Sequence, residues 1–260
     1  MLELYHNDMS SCAQKVRMAL AEKGLEWSGH HLDLRAGDTL TPEYLKMNPN
    51  GVVPTIIDDG WVIIESTVIN EYIDDAYPDP PLRPTDPRDR AAMRLWTKKL
   101  DEGLHNHTAT ISSAIAFRHQ FARHTPEQMA KLLAAMPDPA KRERRKDLLE
   151  NGVRSKLFPA AIGAWNKTLG DMEDRLAESA WLAGDEFSLA DIAYAPYLTR
   201  WEHLQLVGLV AGRPHLAAWF ERIRERESYG IGFTDWFNDK YLPLMEEKGL
   251  EAWPEVKTML

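Results

Sequence analysis

The chain has 260 residues, 44% hydrophobic and 27% charged, with a net charge of −9. That is enough chain for one large or two modest domains with a substantial core, and its acidity argues against phosphate-dominated binding of nucleic acid. A single cysteine excludes an internal disulfide framework and any multi-cysteine metal site, and it fits a reducing compartment. MLELYHNDMS shows no basic segment leading into an apolar stretch, and no run of about 18 apolar residues follows; neither a signal peptide nor a membrane span is expected.

The first strand signal covers residues 2–5. A helix signal follows over residues 15–25, with Val16 and Leu20 at helical spacing and Gly24 as its stop. Between them lies Ser10-Ser11-Cys12. A strand that turns into a helix leaves the first helical N–H groups without partners, and with the helix dipole they favour negative charge. A hydroxyl or thiol at that place can stabilise or carry a sulfur or oxygen anion. Ser10, Ser11 and Cys12 are therefore candidate catalytic residues. Cys12 reads either as a small residue packed at a helix start or as a nucleophile, and without a C-x-x-C pair dithiol redox chemistry is not expected.

A second strand is expected over residues 27–32; His30 and His31 would point to opposite faces of it, so they make no metal pair. Val53-Pro54 opens a third strand, residues 55–58. Pro54 reads as an ordinary trans proline at a strand entrance, or as a cis proline that turns the preceding backbone outward to hold an extended peptide. Asp58-Asp59-Gly60 is a tight hairpin turn into a fourth strand, residues 61–64. Ser66 is expected to cap a helix running through Val68, Ile69, Tyr72 and Ile73. The segment YPDPPLRPTDP, residues 77–87, carries five prolines and reads as a linker.

Everything beyond the linker reads as helical. Residues 88–123 form one long amphipathic helix or two in succession. Thr125-Pro126-Glu127-Gln128 starts another, and residues 136–139 break the pattern. KRERRK, residues 141–146, reads as a solvated helix face. Further helices are expected over residues 160–179, 189–209 and 215–227. His105 and His107 are two residues apart and do not face one way on a helix, so no shared metal is expected. Trp96, Ile111, Ile115 and Phe117, like Tyr194, Tyr197 and Trp201, read as core or as pocket lining.

Four segments then add up. SSCAQKVRMALAEKGL (10–25), NPNGVVPT (48–55), ESTVINEYID (65–74) and FSLADIAYAP (187–196) resemble, in order and spacing, the cytosolic glutathione transferase superfamily of the serine type. The resemblance implies an α/β thioredoxin-like N-terminal domain, residues 1–80, that binds glutathione. It implies an all-α C-terminal domain, residues 88–260, that binds a hydrophobic substrate. It also implies a cis Pro54, a homodimer, a cytoplasmic detoxifying enzyme with glutathione as cosubstrate, and no metal, nucleic-acid or membrane partner. The implied activity is activation of the glutathione thiolate for attack on a hydrophobic, aromatic electrophile.

Residue by residue, Ser10 matches the serine whose hydroxyl donates to the thiolate, with Ser11 and Cys12 completing the triplet. Val53, before Pro54, matches the residue whose backbone pairs with the cysteinyl part of glutathione. Glu65 and Ser66 match the pair that holds the γ-glutamyl end. Ser188 and Asp191 match a structural capping box. The triplet resembles that of the zeta class (maleylacetoacetate isomerases). The long C-terminal domain, with an insertion-like stretch at 117–156 and a tail at 236–260, resembles bacterial glutathione-dependent β-etherases. An S-x-C pattern also resembles that of reductive dehalogenases of chlorinated hydroquinones. Isomerisation, β-aryl ether cleavage, reductive dehalogenation and non-catalytic binding of glutathione or another ligand thus stand beside the transferase reading.

Overall fold

Leu2, Leu4 and His6 are buried while Glu3 and Tyr5 are less so, the period-two pattern of strand β1 (Leu2–His6). The computed structural model describes residues 1–121, 124–134 and 138–260. Helix α1 (Ser11–Glu22) begins four residues earlier than its apolar spacing predicts, because Ser10 caps it and accepts from the Ala13 N–H. It ends as expected at Gly24, φ +63°. The Gly24 N–H reaches the Ala21 carbonyl and the Leu25 N–H the Leu20 carbonyl, each at 3.0 Å, a paired closure that needs the left-handed glycine.

Strand β2 (Ser28–His31) runs parallel to β1. A six-residue helix, α2 (Pro42–Met47), follows, capped by Thr41 with proline in its first turn. Sequence periodicity missed it, since six residues hold too few turns to show a pattern. Strands β3 (Thr55–Asp58) and β4 (Trp61–Ile64) form the expected hairpin. Asp59 and Gly60 both have positive φ, 44° and 88°, the backbone of a two-residue primed turn. The sheet order is β2-β1-β3-β4, with β3 antiparallel to both its neighbours.

Helix α3 (Ser66–Ala76) corrects one expectation: Glu65, not Ser66, holds the N-cap position, and Ser66 is already helical. The chain leaves β4 at Ile64 with one residue in which to turn, so the turn itself takes the cap. Leu2, Leu4, Val16, Leu20, Ile56, Ile69 and Ile73 make the core between the sheet and helices α1 and α3. Sheet and helices together are the thioredoxin-like α/β arrangement. The proline-rich linker is pinned by the buried Asp74 carboxylate. It receives Lys23 Nζ at 2.5 Å, the Leu82 N–H at 2.7 Å and Arg83 Nε at 2.5 Å.

The remainder is helical. Helix α4 (Pro87–Lys99) and helix α5 (His105–Ile115) are separated by a π turn, Leu100–Leu104, where Gly103 takes φ +136°. The stretch expected as one helix or two is therefore two; its expected end at Arg123 lies outside the described residues. Helix α6 (Pro126–Ala134) starts where predicted, with Thr125 and Gln128 exchanging side-chain-to-backbone hydrogen bonds. Of the expected break at 136–139, Met136 and Pro137 lie outside the described residues. Helix α7 (Pro139–Asn151) carries the basic run on largely exposed positions.

Helices α8 (Phe158–Glu178), α9 (Leu189–His203), α10 (Pro214–Arg224), α11 (Glu227–Gly232) and α12 (Leu242–Val256) complete the chain. Helix α9 stops six residues short of expectation, followed by Gln205 at φ +55°. The helix expected over 215–227 is instead split into α10 and α11 by extended backbone at Arg226. Among the described residues no helix is long and apolar enough to cross a membrane.

Two compact units result. The first holds residues 1–98, 175–198 and 217–238; the second holds residues 99–174, 199–216 and 239–260. In the first, Asp191 is fully buried and satisfies Ser188 N–H at 2.9 Å, Leu182 N–H at 3.0 Å and Trp219 Nε1 at 2.8 Å. The expected Ser188–Asp191 box is thus extended to a strand of chain and a tryptophan. In the second, Trp165 and Trp201 meet edge to face at 5.1 Å.

Candidate functional site

The sheet register assembles the site. Tyr5 of β1 lies opposite Thr55 of β3, and Thr55 lies opposite Ile64 of β4. Chain leaving β1 toward Ser10, chain entering β3 from Val53-Pro54, and chain leaving β4 into Glu65 therefore all cross the same end of the sheet. All seven residues singled out in the sequence sit on these three crossings. Two helices, α1 and α3, begin there, so two sets of helical N–H groups face the same end.

Ser10 uses its hydroxyl oxygen as acceptor for the Ala13 N–H at 3.3 Å. Its O–H hydrogen remains to be donated outward. Ser11 and Cys12 are the first two helical residues; Ser11 is buried and Cys12 is partly exposed. The loop before Ser10 is tightly fixed. Met9 N–H reaches Asn7 Oδ1 at 3.1 Å and Asp8 Oδ1 at 2.8 Å, and Asn7 Nδ2 donates to the Leu32 carbonyl at 3.0 Å.

The Val53–Pro54 peptide is cis, as the resemblance implies, and both residues are buried. The loop that carries them is tied down from behind. Tyr44 Oη donates to the Val52 carbonyl at 2.7 Å and lies 2.9 Å from Thr55 Oγ1. Asn48 Nδ2 donates to the same carbonyl at 2.8 Å and to Thr55 Oγ1 at 3.1 Å. Burial holds the Tyr44 phenol above its ordinary pKa, so it stays a donor.

Glu65 is exposed, with its backbone at φ +70° and ψ 113°, and its Oε1 accepts from Asn50 Nδ2 at 3.0 Å. No side chain caps α3. An anionic group approaching there would meet the first backbone N–H groups of α3 beside the buried Ser66. An acidic side chain next to an uncapped helix start suits a zwitterionic α-amino acid: carboxylate to the N–H groups, ammonium to Glu65.

Sequence reasoning missed Tyr44, Asn48 and Thr55, although the last two stand inside the NPNGVVPT motif. It also missed Arg17, a fully buried guanidinium in the middle of α1. Arg17 Nη1 donates to the Asn7 carbonyl at 3.0 Å, Nη2 to the Asp8 carbonyl at 2.9 Å and Nε to the Gly232 carbonyl at 2.8 Å. Burial lowers Arg17 to about 9, which leaves it cationic at neutral pH. His6 lies 3.3 Å from Nη1 through Nδ1; burial first, then Arg17, bring it down to about 3, so it is the neutral acceptor.

The pocket-or-core residues divide less evenly. Trp96, Ile111, Ile115, Tyr194, Tyr197 and Trp201 are buried core, and Phe117 is partly exposed. His30 pairs with Glu3, and His31 faces Asp8 at 3.6 Å. Among the described residues no cluster of His, Cys, Asp and Glu could hold a metal ion.

Residues 9–76 match the sequence family described as "Glutathione S-transferase, N-terminal domain", and residues 141–222 match "Glutathione S-transferase, C-terminal domain". Glutathione S-transferase F13 of Arabidopsis thaliana is 30% identical over 231 residues, 88% of this chain and 93% of that protein. Protein LigF of Sphingobium sp. (strain NBRC 103272 / SYK-6) is 30% identical over 259 residues, 95% of this chain and 98% of that protein. The crystal structure of beta-etherase LigF from Sphingobium sp. strain SYK-6 has a TM-score of 0.79 at 29% identity, covering 90% of this chain and 99% of that one.

Proposed function

The chain belongs to the glutathione S-transferase family, and from that premise we propose that it activates glutathione for attack on a hydrophobic, aromatic electrophile. Glutathione, when bound, supplies the nucleophilic sulfur. Ser10 donates its O–H to that sulfur, and the N-terminus of α1 adds its dipole, so the thiolate form is favoured at neutral pH. Val53 offers its backbone to the cysteinyl peptide. Glu65 receives the γ-glutamyl ammonium, and Ser66 with the uncapped start of α3 receives the carboxylate. In this reading residues 1–80 bind glutathione and residues 88–260 select the electrophile. Cys12, the second residue of α1, is kept outside the reaction.

One observation supports this reading above the others. The register brings three separate segments to one sheet end, and the hydroxyl there accepts one hydrogen bond from the Ala13 N–H and keeps its own hydrogen to donate. A second reading is supported by the likeness to LigF, whose structure is named a beta-etherase. There a C–S bond forms as an aryl ether C–O bond breaks, and the phenolate takes a proton from solvent.

Initial rates with glutathione and either an activated aryl chloride or a β-aryl ether separate the two. Replacement of Ser10 by alanine is expected to lower kcat/KM roughly 10²-fold, the loss typical of one preorganised donor to a developing anion. Cys12→Ala should stay within a few-fold of wild type. Loss confined to the Cys12 variant would overturn the serine mechanism. Glutathione binding by calorimetry without turnover of either electrophile would leave a binding protein. The reading includes a cytoplasmic homodimer, supported by the exposed apolar Trp61 and Val62 of edge strand β4 and Val68 of adjoining α3; sedimentation velocity tests it.

A further inference from the structure

Arg17 is a charge placed where charge is expensive. Its side chain is fully buried, and it spends its donors on backbone carbonyls. Burying a guanidinium without hydrogen bonds costs far more than leaving it in water, so the site is built around its fork of donors. Two of the carbonyls belong to Asn7 and Asp8, in the loop that delivers Ser10. The third belongs to Gly232, at the end of α11, more than two hundred residues later in the chain.

Further contacts tie the segment after α11 to the same region. The Arg17 guanidinium lies 5.0 Å from the centroid of the Trp236 ring. That ring also meets His6 edge to face at 4.6 Å and stacks on Trp27 at 6.0 Å. Asn238 Nδ2 donates to Asp8 Oδ2 at 2.5 Å. Gly232 itself presses on α1: a Cβ there would lie 2.9 Å from the Met18 backbone nitrogen. Only glycine allows the carbonyl to come within reach of Arg17.

We propose that Arg17, Trp236 and Asn238 form a latch through which the segment Gly232–Asn238 holds the loop before α1 and so aims the Ser10 hydroxyl. Arg17 is a positioning residue in this account; it acts through Asn7 and Asp8. The latch explains why a chain that already has a complete N-terminal sheet sends its C-terminal segment back to the first helix. It rests on the reading of Ser10 as the donor to the glutathione sulfur.

The test uses the full-length protein in four variants: Arg17→Lys, Arg17→Met, a Trp236→Ala/Asn238→Ala double variant, and Ser10→Ala as reference. Two quantities are read besides turnover. One is the pKa of bound glutathione, from thiolate absorbance against pH. The other is the rate at which the ligand-free protein's single cysteine, Cys12, reacts with a thiol reagent, which reports order at the start of α1. The latch predicts a bound-thiol pKa raised by about one unit in the double variant, hence roughly three- to fivefold less thiolate near neutrality. It also predicts lower kcat with a smaller change in KM for glutathione, and Cys12 reacting several-fold faster. Arg17→Lys, which keeps charge but loses the fork, should fall between wild type and Arg17→Met.

A lowered Tm in the double variant with bound-thiol pKa and Cys12 reactivity both unchanged would overturn the latch and leave ordinary packing. If Ser10→Ala leaves the bound-thiol pKa unmoved, the reading of Ser10 fails instead, and the Cys12 rate in the ligand-free variants alone decides whether the latch exists. Should Arg17→Met fail to fold, the double variant carries the decision.

Discussion

Glu65 shows how one residue can be fixed by geometry on both sides. Its φ of +70° is uncommon for a residue with a Cβ, and such a conformation costs on the order of 1–3 kcal/mol. It persists because Ile64 is held opposite Thr55 while Ser66 is already helical. The carboxylate is thereby held at the helix start, with Asn50 as its neighbour. Glu65→Gln is expected to weaken glutathione binding roughly tenfold, the scale of one charge-assisted contact, with kcat less affected; titration calorimetry and a KM-against-kcat comparison check it. Asn48→Ala should cost about 1–3 kcal/mol of stability in denaturant titrations, since it leaves the Val52 carbonyl and the buried Thr55 hydroxyl each short of a partner. Ser10, Val53, Glu65 and their neighbours were legible because each stands where one element hands over to the next, and motifs concentrate at such places. Tyr44, Asn48 and Thr55 were not, because their role is to brace a loop whose shape exists only once the sheet has formed. Arg17 was hidden for a different reason: a basic residue in an amphipathic helix pattern reads as the solvated face, and here it is core.

At the scale of elements, local rules were strongest where they closed an element. Gly24 ended α1, Asp59-Gly60 set the hairpin, and Thr125 with Gln128 opened α6. They were weakest where tertiary packing decided. The π turn at Leu100–Leu104 divides a continuous amphipathic pattern, and the six-residue α2 left no periodicity to detect. Two buried carboxylates show how loops are fixed to these elements. Asp191 accepts from Ser188, Leu182 and Trp219, and burial raises its pKa against the pull of those donors. Asp191→Ala would strand all of them, and the expected cost is about 3–5 kcal/mol in urea unfolding. The same change at Asp74 would leave the buried Lys23 without its counter-charge and Arg83 with Asp75 alone, and release the proline-rich linker. A loss of similar size is expected there, together with faster proteolysis between residues 77 and 87.

For the molecule as a whole, two histidines, the buried His6 and the partly buried His203, set part of the response to acid. Burial, aided by Arg17 for His6 and by Arg200 for His203, takes each from 6.5 to about 3. Unfolded chains take up these protons as pH falls through 6.5, whereas the folded chain refuses them until about 3. Their contribution is thus intact above pH 6.5 and is lost progressively between 6.5 and 3. His6→Gln should lose less stability than wild type between neutrality and the lower end of that window, read as urea midpoints across the pH series. An equal loss in both proteins would show that carboxylates alone govern the acid limb. The primed turn between β3 and β4 has an optical consequence. It lifts Trp61, 77% exposed and the most exposed tryptophan among the described residues, onto the rim of the sheet, while Trp165, Trp201 and Trp219 are fully enclosed. Fluorescence from this one indole is open to collisional quenching by acrylamide in a monomer. If two copies meet on the β4–α3 face, the quenchable fraction will shrink and the emission will shift to shorter wavelength as the protein is concentrated. Emission that ignores concentration would place the contact on some other face.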